Sequence, residues 1–471
     1  MPARTRSSIG LVRQLGIVSA TALVISNMVG TGIFSTSGFL AGQLGSPGLV
    51  LGIWVVGALC ALLGSFCYSE LGINYPSSGG EYVYLTRAYG PTWGFMTGWI
   101  SFFAGFSAPI AAAALAFSDY LGYFFPGVKQ ANAQIAIGSG TFAFKFGGAQ
   151  AVACALIALF TMINCMGALK KVARIQNALT GTKIIVLLMF IVLALLVGNG
   201  SWSNFSMHAT RTSTIPVASQ FAISLFWIYV SYSGWNAATY VAEELQNPAR
   251  TLPLSLTIGT LLVAALYIVL NIVFIYGAPL EVMKGEIAVG SLTAYRLFGR
   301  DVAGIFSALM ALGLVSTVSA MVTIGPRLYY AMAKNGAFFP IAARIDDRTH
   351  TPVIAIICQG VCCMLMTFTP FPDLIVYIGV TLNFFACMTV ASLFIFRRRP
   401  EWQRLPAVSF AWPLVPGVFV LVGIWMTIYG LTLQPIVSLC AILTIGGGAA
   451  AYHVRRRSHE RTAAATTPGR I

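Results

Sequence analysis

The sequence predicts an all-α integral membrane protein with about 12 transmembrane helices, arranged as two inverted repeats of five helices followed by two more. Two observations support this fold class. The chain of 471 residues is 57% hydrophobic and only 9% charged, with a mean hydropathy of +0.81, whereas soluble domains carry about 25% charged residues. Two long apolar segments are also interrupted at corresponding places in the two halves of the chain.

The hydrophobic segments are numerous enough for the predicted spans, each of which needs roughly 20 apolar residues. We place the spans near residues 17–43, 49–75, 92–118, 149–169, 177–198, 217–242, 254–276, 302–330, 352–369, 374–396, 412–432 and 435–452. The 47 glycines are spread through these segments, as expected where helices pack closely in lipid.

The two interrupted segments indicate where the membrane-embedded backbone opens. The first, Leu15–Leu44, is broken at Gly30–Gly32, and the second, Val217–Ala242, is broken at Ser233–Asn236. Lipid offers no hydrogen-bond partner to an opened helix, so such a break must face protein or a water-filled cavity. A pair of broken spans in corresponding positions is typical of the binding site of a secondary transporter built from inverted repeats.

This pattern divides the chain into repeats. Because each repeat contains an odd number of spans, the second enters the membrane from the opposite side. We expect a cytoplasmic N-terminus at 1–14, a first repeat at 15–200, a second at 201–400, two additional spans at 401–454 and a disordered cytoplasmic tail at 455–471.

The net charge of +15 is distributed in a way that predicts topology and argues against a nucleic-acid partner. Most of the 28 Lys and Arg residues fall on the membrane side that carries the N-terminus. The opposite side holds Lys129, Lys145, Arg211, Lys284, Arg296 and Arg300. This bias predicts a multi-pass protein of the cell membrane (inner or plasma) with both termini in the cytoplasm. We expect basic residues beside the spans to contact membrane lipid.

The sequence offers nothing for an enzyme to work with. The nine cysteines lie mostly in spans, and no Cys/His spacing suits zinc. We find no nucleotide-binding loop and no nucleophile elbow, so we expect no metal and no cofactor. None of the 13 acidic residues is clearly mid-span, which argues against a carboxylate proton relay or a carboxylate-built sodium site.

The chemistry of the breaks suits a zwitterion. Glycine lets the backbone of Gly30–Gly32 leave the helix and approach a ligand. The half-helix after the break begins with unpaired N–H groups, which suit a carboxylate, and the half-helix before it ends in unpaired carbonyls, which suit an ammonium. An α-amino acid presents both groups. The polar and aromatic stretch of the second break would line the same cavity.

Lys183 is the sharpest single residue, because it lies inside the predicted fifth span with a long apolar run after it. An ionisable residue within the membrane is a functional hypothesis by default. The alternative is that its side chain extends to the cytoplasmic headgroups. If it is buried, its ammonium would stand where a sodium ion might otherwise sit.

Four motifs in order resemble the amino acid–polyamine–organocation superfamily, and most closely its L-type amino acid transporter branch and bacterial relatives. They are Gly30–Phe34, Ser69–Tyr82, Tyr232–Glu244 and Gly325–Gly336. The resemblance covers nearly the whole chain. It implies the five-plus-five fold of the leucine-transporter type, with discontinuous helices 1 and 6.

The resemblance also implies roles for residues at the breaks. The substrate carboxylate would bind the N–H groups of Thr31 and Gly32, its amino group would bind the carbonyls of Met28 and Val230, and Lys183 would replace a sodium ion. The predicted substrate-binding residues are Asn27, Met28, Gly30, Thr31, Gly32, Val230, Ser233, Trp235 and Asn236. Further candidates for the pocket are Ser316, Ser319 and Asn383.

Two departures from the family pattern change these expectations. The position of Val230 often holds a large aromatic gate in the family, so we predict that the neighbouring Tyr229 and Tyr232 act as the gate here. The outer loop Tyr123–Gly148 contains no cysteine, whereas animal members use one there to bond a heavy subunit. We therefore expect no disulfide-linked heavy subunit.

Together these features predict a sodium-independent exchanger of neutral amino acids that works by alternating access, with spans 1, 2, 6 and 7 rocking against the rest and Lys183 linking span 5 to span 1. A proton-coupled symporter with Lys183 as its titrating group remains an alternative. An amino acid sensor is an alternative of another class, although the polar tail after Arg455 is too short for a folded signalling domain.

Overall fold

The computed structural model describes residue 13 and residues 15–77, 79–129, 135–137, 144–166, 169–334, 338–346, 348 and 351–466. The described chain is built mainly of helices. The first span is broken into α1 (Ile17–Met28) and α2 (Thr31–Leu44), bent by 42° relative to each other. The other membrane helices are α3 (Pro47–Asn74), α5 with α6 (Pro91–Leu121), α7 (Gly148–Cys165), α8 (Leu169–Val197), α9 (Val217–Tyr232), α10 (Pro248–Gly277), α13 (Arg300–Lys334), α14 (Val353–Met366), α15 (Phe371–Phe396), α17 (Leu414–Leu433) and α18 (Pro435–Thr466).

These elements match the predicted spans in order and confirm the predicted fold class. Among the described residues, eight helices are long and apolar enough to cross a membrane, and the bent pair α1–α2 makes a ninth. The shorter helices α8, α9 and α14 fill the remaining three predicted positions. Short elements join them: α4 (Glu81–Tyr89), β1 (Ile135–Ile137), β2 (Phe144–Phe146), α11 (Leu280–Met283), α12 (Val289–Phe298) and α16 (Pro406–Ser409).

The order of elements repeats between the two halves. In the first half, the broken span is followed by the long α3, the short α4, the span α5–α6, and then α7 and α8. In the second half, α9 leads through the break into a 3₁₀ helix (Ala237–Glu244), followed by the long α10, the short α11 and α12, the long α13, and then α14 and α15. This correspondence is the expected signature of a five-plus-five repeat.

The spans fall into two packed groups. Spans 1, 2, 6 and 7 pack together, because α10 lies along both α1 and α3, and α9 contacts both α2 and α3. A second group forms around α13, which packs against α6, α8 and α14. The first group is the one predicted to rock, and the break of span 1 lies where the two groups meet.

The C-terminal end differs from the prediction. Helix α18 continues past Arg455 to Thr466, where the sequence predicted a disordered tail. Its composition explains the difference, since the segment 455–466 is rich in arginine and alanine, both of which favour helix. Residues 1–12, 14 and 467–471 lie outside the described residues.

Candidate functional site

The two breaks lie against each other, and glycines make the contact. A Cβ added to Gly32 would stand 2.3 Å from the Cα of Ser231, so only glycine fits between α2 and α9. Gly234 has a φ of +100°, a conformation that favours glycine, and a Cβ there would lie 2.8 Å from the carbonyl carbon of Asn27. The breaks predicted from the two halves of the sequence therefore form one locus.

The N-terminus of α2 opens into this locus. Gly30 is the N-cap residue, and no side chain caps the helix within the described structure. The first N–H groups of any α-helix have no partner within the helix, so those of Thr31 and Gly32 are available to an anion. A hydrogen bond of 3.1 Å between the hydroxyls of Thr36 and Ser231 fixes the half-helix against span 6.

The two carbonyls predicted to hold the substrate ammonium both accept hydrogen bonds from the protein. The Met28 carbonyl accepts from the Tyr267 hydroxyl at 2.6 Å and from the Gly30 N–H at 2.8 Å. The Val230 carbonyl accepts from the Ser233 hydroxyl at 2.7 Å and from its N–H at 3.1 Å. A carbonyl oxygen has two lone pairs, so a bound ammonium would have to share or displace these donors.

Lys183 lies inside the protein between spans 1, 5 and 8. Its side chain is 4% exposed, and its ammonium donates a hydrogen bond to the Val29 carbonyl within the first break. Gly313 of α13 leaves room for it, because a Cβ there would lie 3.3 Å from the Lys183 Cδ. Lys183 therefore contacts the break instead of extending to the headgroups.

The aromatic residues of the second break take different directions. The Tyr229 hydroxyl donates to the Leu382 carbonyl of α15 at 3.3 Å, which spans the two packed groups. Tyr232 is buried against Trp54, and its hydroxyl donates to the Trp54 carbonyl at 3.2 Å. Tyr232 thus belongs to the packing of span 6 on span 2, and we retain only Tyr229 as a gate candidate.

Trp235 also packs within the helices. Its ring lies 4.7 Å from the ring of Tyr68 and 6.2 Å from that of Phe419. A Cβ at Gly64 would meet the indole at 2.7 Å. The indole is 3% exposed, so any contribution of Trp235 to a ligand would come from its backbone.

Asn236 faces a carboxyl group that the sequence reading placed at a span end. Its amide donates to Glu81 at 3.2 Å, and the Tyr68 hydroxyl donates to the same Glu81 oxygen at 2.5 Å. Burial raises the pKa of the Glu81 carboxyl above its usual range, and these two hydrogen bonds offset part of the rise. This arrangement joins α4 to spans 2 and 6 at the N-terminal side of the membrane.

The remaining pocket candidates divide between two locations. Ser316 and Ser319 are buried on α13, the helix that carries Gly313 beside Lys183. Asn383 is buried, and its amide donates to the Gly423 carbonyl at 3.0 Å and to the Thr427 hydroxyl at 3.2 Å. Asn383 therefore joins α15 to α17.

The two sides of the locus are closed to different extents. On the side away from the N-terminus, the ring of Phe39 stacks on Phe371 at 6.0 Å and packs on Trp227 at 4.7 Å. On the N-terminal side, α1 is held by a backbone bridge to the end of the 3₁₀ helix, while Val18 is 83% exposed and Asn27 is also exposed.

Sequence reasoning missed two residues of this locus, Tyr267 and Glu81. Tyr267 had a signal, because it and Asn271 interrupt an apolar run one helical turn apart and so share a helix face. Glu81 had none, since its burial depends on how α4 folds back on the spans. Among the described residues, no three His, Cys, Asp or Glu side chains come together as a metal site would require.

Comparison with known proteins identifies the family. The family model described as amino acid permease matches residues 15–449. The chain is 28% identical to the mouse large neutral amino acids transporter small subunit 2, over 91% of this chain and 78% of the relative. It is 27% identical to the mouse Asc-type amino acid transporter 1, covering 93% and 80%, and 27% identical to the mouse b(0,+)-type amino acid transporter 1, covering 91% and 83%. The chain therefore belongs to the amino acid permease family, within the amino acid–polyamine–organocation superfamily, and is a multi-pass membrane transporter of amino acids.

Proposed function

We propose that this protein exchanges neutral α-amino acids across the cell membrane without sodium, binding them where the two broken spans meet. The observation that carries the proposal is the contact of the two breaks, with Gly32 against Ser231 and Gly234 against Asn27. It brings the open N-terminus of α2 and the C-terminal end of α9 to one place.

The substrate carboxylate binds the N–H groups of Thr31 and Gly32, where the dipole of α2 favours an anion. The ammonium binds the carbonyls of Met28 and Val230, with Ser233 and Asn27 beside them. Because both carbonyls also have donors within the protein, the ammonium is held weakly enough to leave, which suits an exchanger.

Sodium independence follows from the place of Lys183. Its ammonium supplies a fixed positive charge to the Val29 carbonyl of the opened backbone, which is the kind of group that coordinates sodium in transporters with broken helices. A second cation beside it would be repelled.

Alternating access then moves spans 1, 2, 6 and 7 against the group around α13. The stack of Phe39 on Phe371 closes the outer side, while the exposed faces of Val18 and Asn27 open toward the cytoplasm. We therefore infer that this conformation is inward-facing, and that Tyr229, bonded to α15, gates the substrate.

Neutral side chains are favoured because the acidic group nearest the breaks, Glu81, is engaged by Tyr68 and Asn236. We further propose that both termini are cytoplasmic, on the strength of the positive-inside bias. We propose that the chain works without a disulfide-linked heavy subunit, since the outer loop Tyr123–Gly148 contains no cysteine.

The test is uptake of a panel of radiolabelled amino acids into proteoliposomes in sodium-free buffer. The vesicles are either empty or loaded with unlabelled amino acids, and each set is assayed with and without an inward proton gradient. We expect uptake of neutral amino acids that requires internal substrate and no gradient. Gradient-driven uptake into empty vesicles would instead establish a proton symporter, and uptake that requires sodium would overturn the role of Lys183.

A further inference from the structure

Tyr267 of span 7 makes two contacts with the opened backbone of span 1. Its hydroxyl donates to the Met28 carbonyl at 2.6 Å, and the Gly30 N–H hydrogen-bonds to the same hydroxyl. The residue between them, Val29, directs its own carbonyl to Lys183. Consecutive backbone groups of the break are thus held from two directions, one from span 7 and the other from span 5.

The Tyr267 ring is fixed before it reaches the break. The side chain is 0% exposed, and its ring lies edge-on to Trp54 at 5.4 Å and tilted to Tyr232 at 5.2 Å. One turn further along α10, the Asn271 amide donates to the Tyr267 carbonyl at 2.8 Å, and its oxygen accepts from the Ser37 hydroxyl at 2.6 Å. Span 7 therefore holds both sides of the break, since Met28 ends α1 and Ser37 lies within α2.

We propose that Tyr267 is the positioning residue of the amino acid site, and that its hydroxyl fixes the opened turn at Val29 so that the Met28 carbonyl and the Thr31 N–H keep their orientation toward the substrate. The proposal rests on the proposed function for its transport consequence. Its structural part stands on the ligand-free geometry, because a single hydroxyl here satisfies one donor and one acceptor that the break releases from the helix.

The two contacts divide the work at the break. Tyr267 belongs to the group of spans 1, 2, 6 and 7 and keeps its contact with Met28 when that group moves as a body. Lys183 belongs to the other group, so its contact with Val29 is the one that changes. Tyr267 therefore preserves the shape of the site through the cycle, while Lys183 reports its position.

The experiment compares wild type with Tyr267→Phe and Tyr329→Phe. Each substitution removes one hydroxyl and keeps the ring. Tyr329 is the matched control because it is as buried as Tyr267, and its hydroxyl donates to the Ser101 carbonyl in a packing contact between spans 8 and 3. Hydrogen–deuterium exchange of peptides covering residues 24–36 is measured without substrate, and initial rates of exchange transport give KM and kcat.

We expect Tyr267→Phe alone to speed amide exchange at the break by about two- to tenfold and to raise KM by up to about tenfold, as loss of one or two hydrogen bonds implies. We expect kcat to change less than KM. Exchange at the break equal to wild type, or the same increase in Tyr329→Phe, overturns the proposal whatever the transport result. A wild-type protein that transports no amino acid contradicts the proposed function, while the amide exchange still decides the role of Tyr267.

Discussion

The ammonium of Lys183, buried in span 5, hydrogen-bonds to the carbonyl of Val29, the residue at which span 1 leaves its helix. The contact crosses the boundary between the two packed groups of spans. A positive charge fixed at this point neutralises the backbone dipoles that the break exposes and links the state of the break to span 5.

Removing this charge should slow transport without unfolding the protein. Lys183→Met keeps most of the side-chain stem beside Gly313 but loses the hydrogen bond from a charged group, which contributes about 1.5–3 kcal/mol. We expect the initial exchange rate in proteoliposomes to fall by about tenfold or more. Rates equal to wild type at every pH between about 5 and 8 would contradict the coupling role of Lys183.

The close contact of the breaks predicts that Gly32→Ala is damaging. The added Cβ would lie 2.3 Å from the Ser231 Cα, so α2 and α9 must separate, at a typical cost of about 1–3 kcal/mol. We expect lower thermal stability in detergent and a loss of uptake. Gly52→Ala on α3 is the control, because its Cβ meets nothing within 4 Å. Equal behaviour of the two variants would show that the breaks do not pack as described.

A buried ion pair at the N-terminal side of the membrane should dominate stability there. Glu70 is 0% exposed and accepts hydrogen bonds from Arg397 at 2.6 Å, Trp402 at 2.8 Å and the Leu405 N–H at 2.9 Å. Arg397→Met leaves this carboxylate without its cation, which typically costs about 3–5 kcal/mol. We expect a large drop in melting temperature.

The control for that experiment is Glu281→Gln. Glu281 pairs with Lys284 at 2.5 Å but is exposed, and exposed pairs contribute little. A melting temperature that falls as much in Glu281→Gln as in Arg397→Met would contradict the assignment of the buried pair as the stronger contact.

Glu81 predicts a pH-dependent stability. Because burial raises its pKa in the folded protein, the folded state binds this proton more tightly than the unfolded state. Its contribution is therefore complete below the unfolded pKa of about 4.3 and is lost as pH rises through the raised folded pKa. Glu81→Gln keeps an acceptor for Tyr68 and Asn236 and cannot ionise.

We expect the melting temperature of Glu81→Gln, relative to wild type, to increase from pH 5 to pH 8. Glu401→Gln is the control, since Glu401 is exposed, and its difference from wild type should stay constant with pH. A Glu81→Gln difference that shrinks toward pH 8 would show that the carboxyl is better solvated than its contacts indicate.

The sequence predicted the elements of this fold well, because lipid forces strong rules on it. Uninterrupted apolar runs become spans, and the glycines at 30, 32 and 234 mark the only places where these helices open for a ligand. An ionisable residue such as Lys183, surrounded by apolar residues, likewise had few places to go.

The partners of individual side chains were much harder to predict. The hydroxyl of Tyr267 and the carbonyl of Met28 are far apart in the chain, and a backbone carbonyl leaves no mark in a sequence. Asn383 and Tyr232 looked like pocket residues because polar groups within spans are rare, but their hydrogen bonds go to neighbouring helices. Which face a helix turns toward the site depends on the packing of all its neighbours.

The most direct measurement of the central claim is an experimental structure of the protein saturated with an amino acid identified in the uptake panel. The account predicts ligand density at the junction of the breaks, with the carboxylate within hydrogen-bond distance of the Thr31 and Gly32 N–H groups and the Lys183 ammonium still on span 1. Ligand density elsewhere, or a sodium ion beside the Val29 carbonyl, would contradict it.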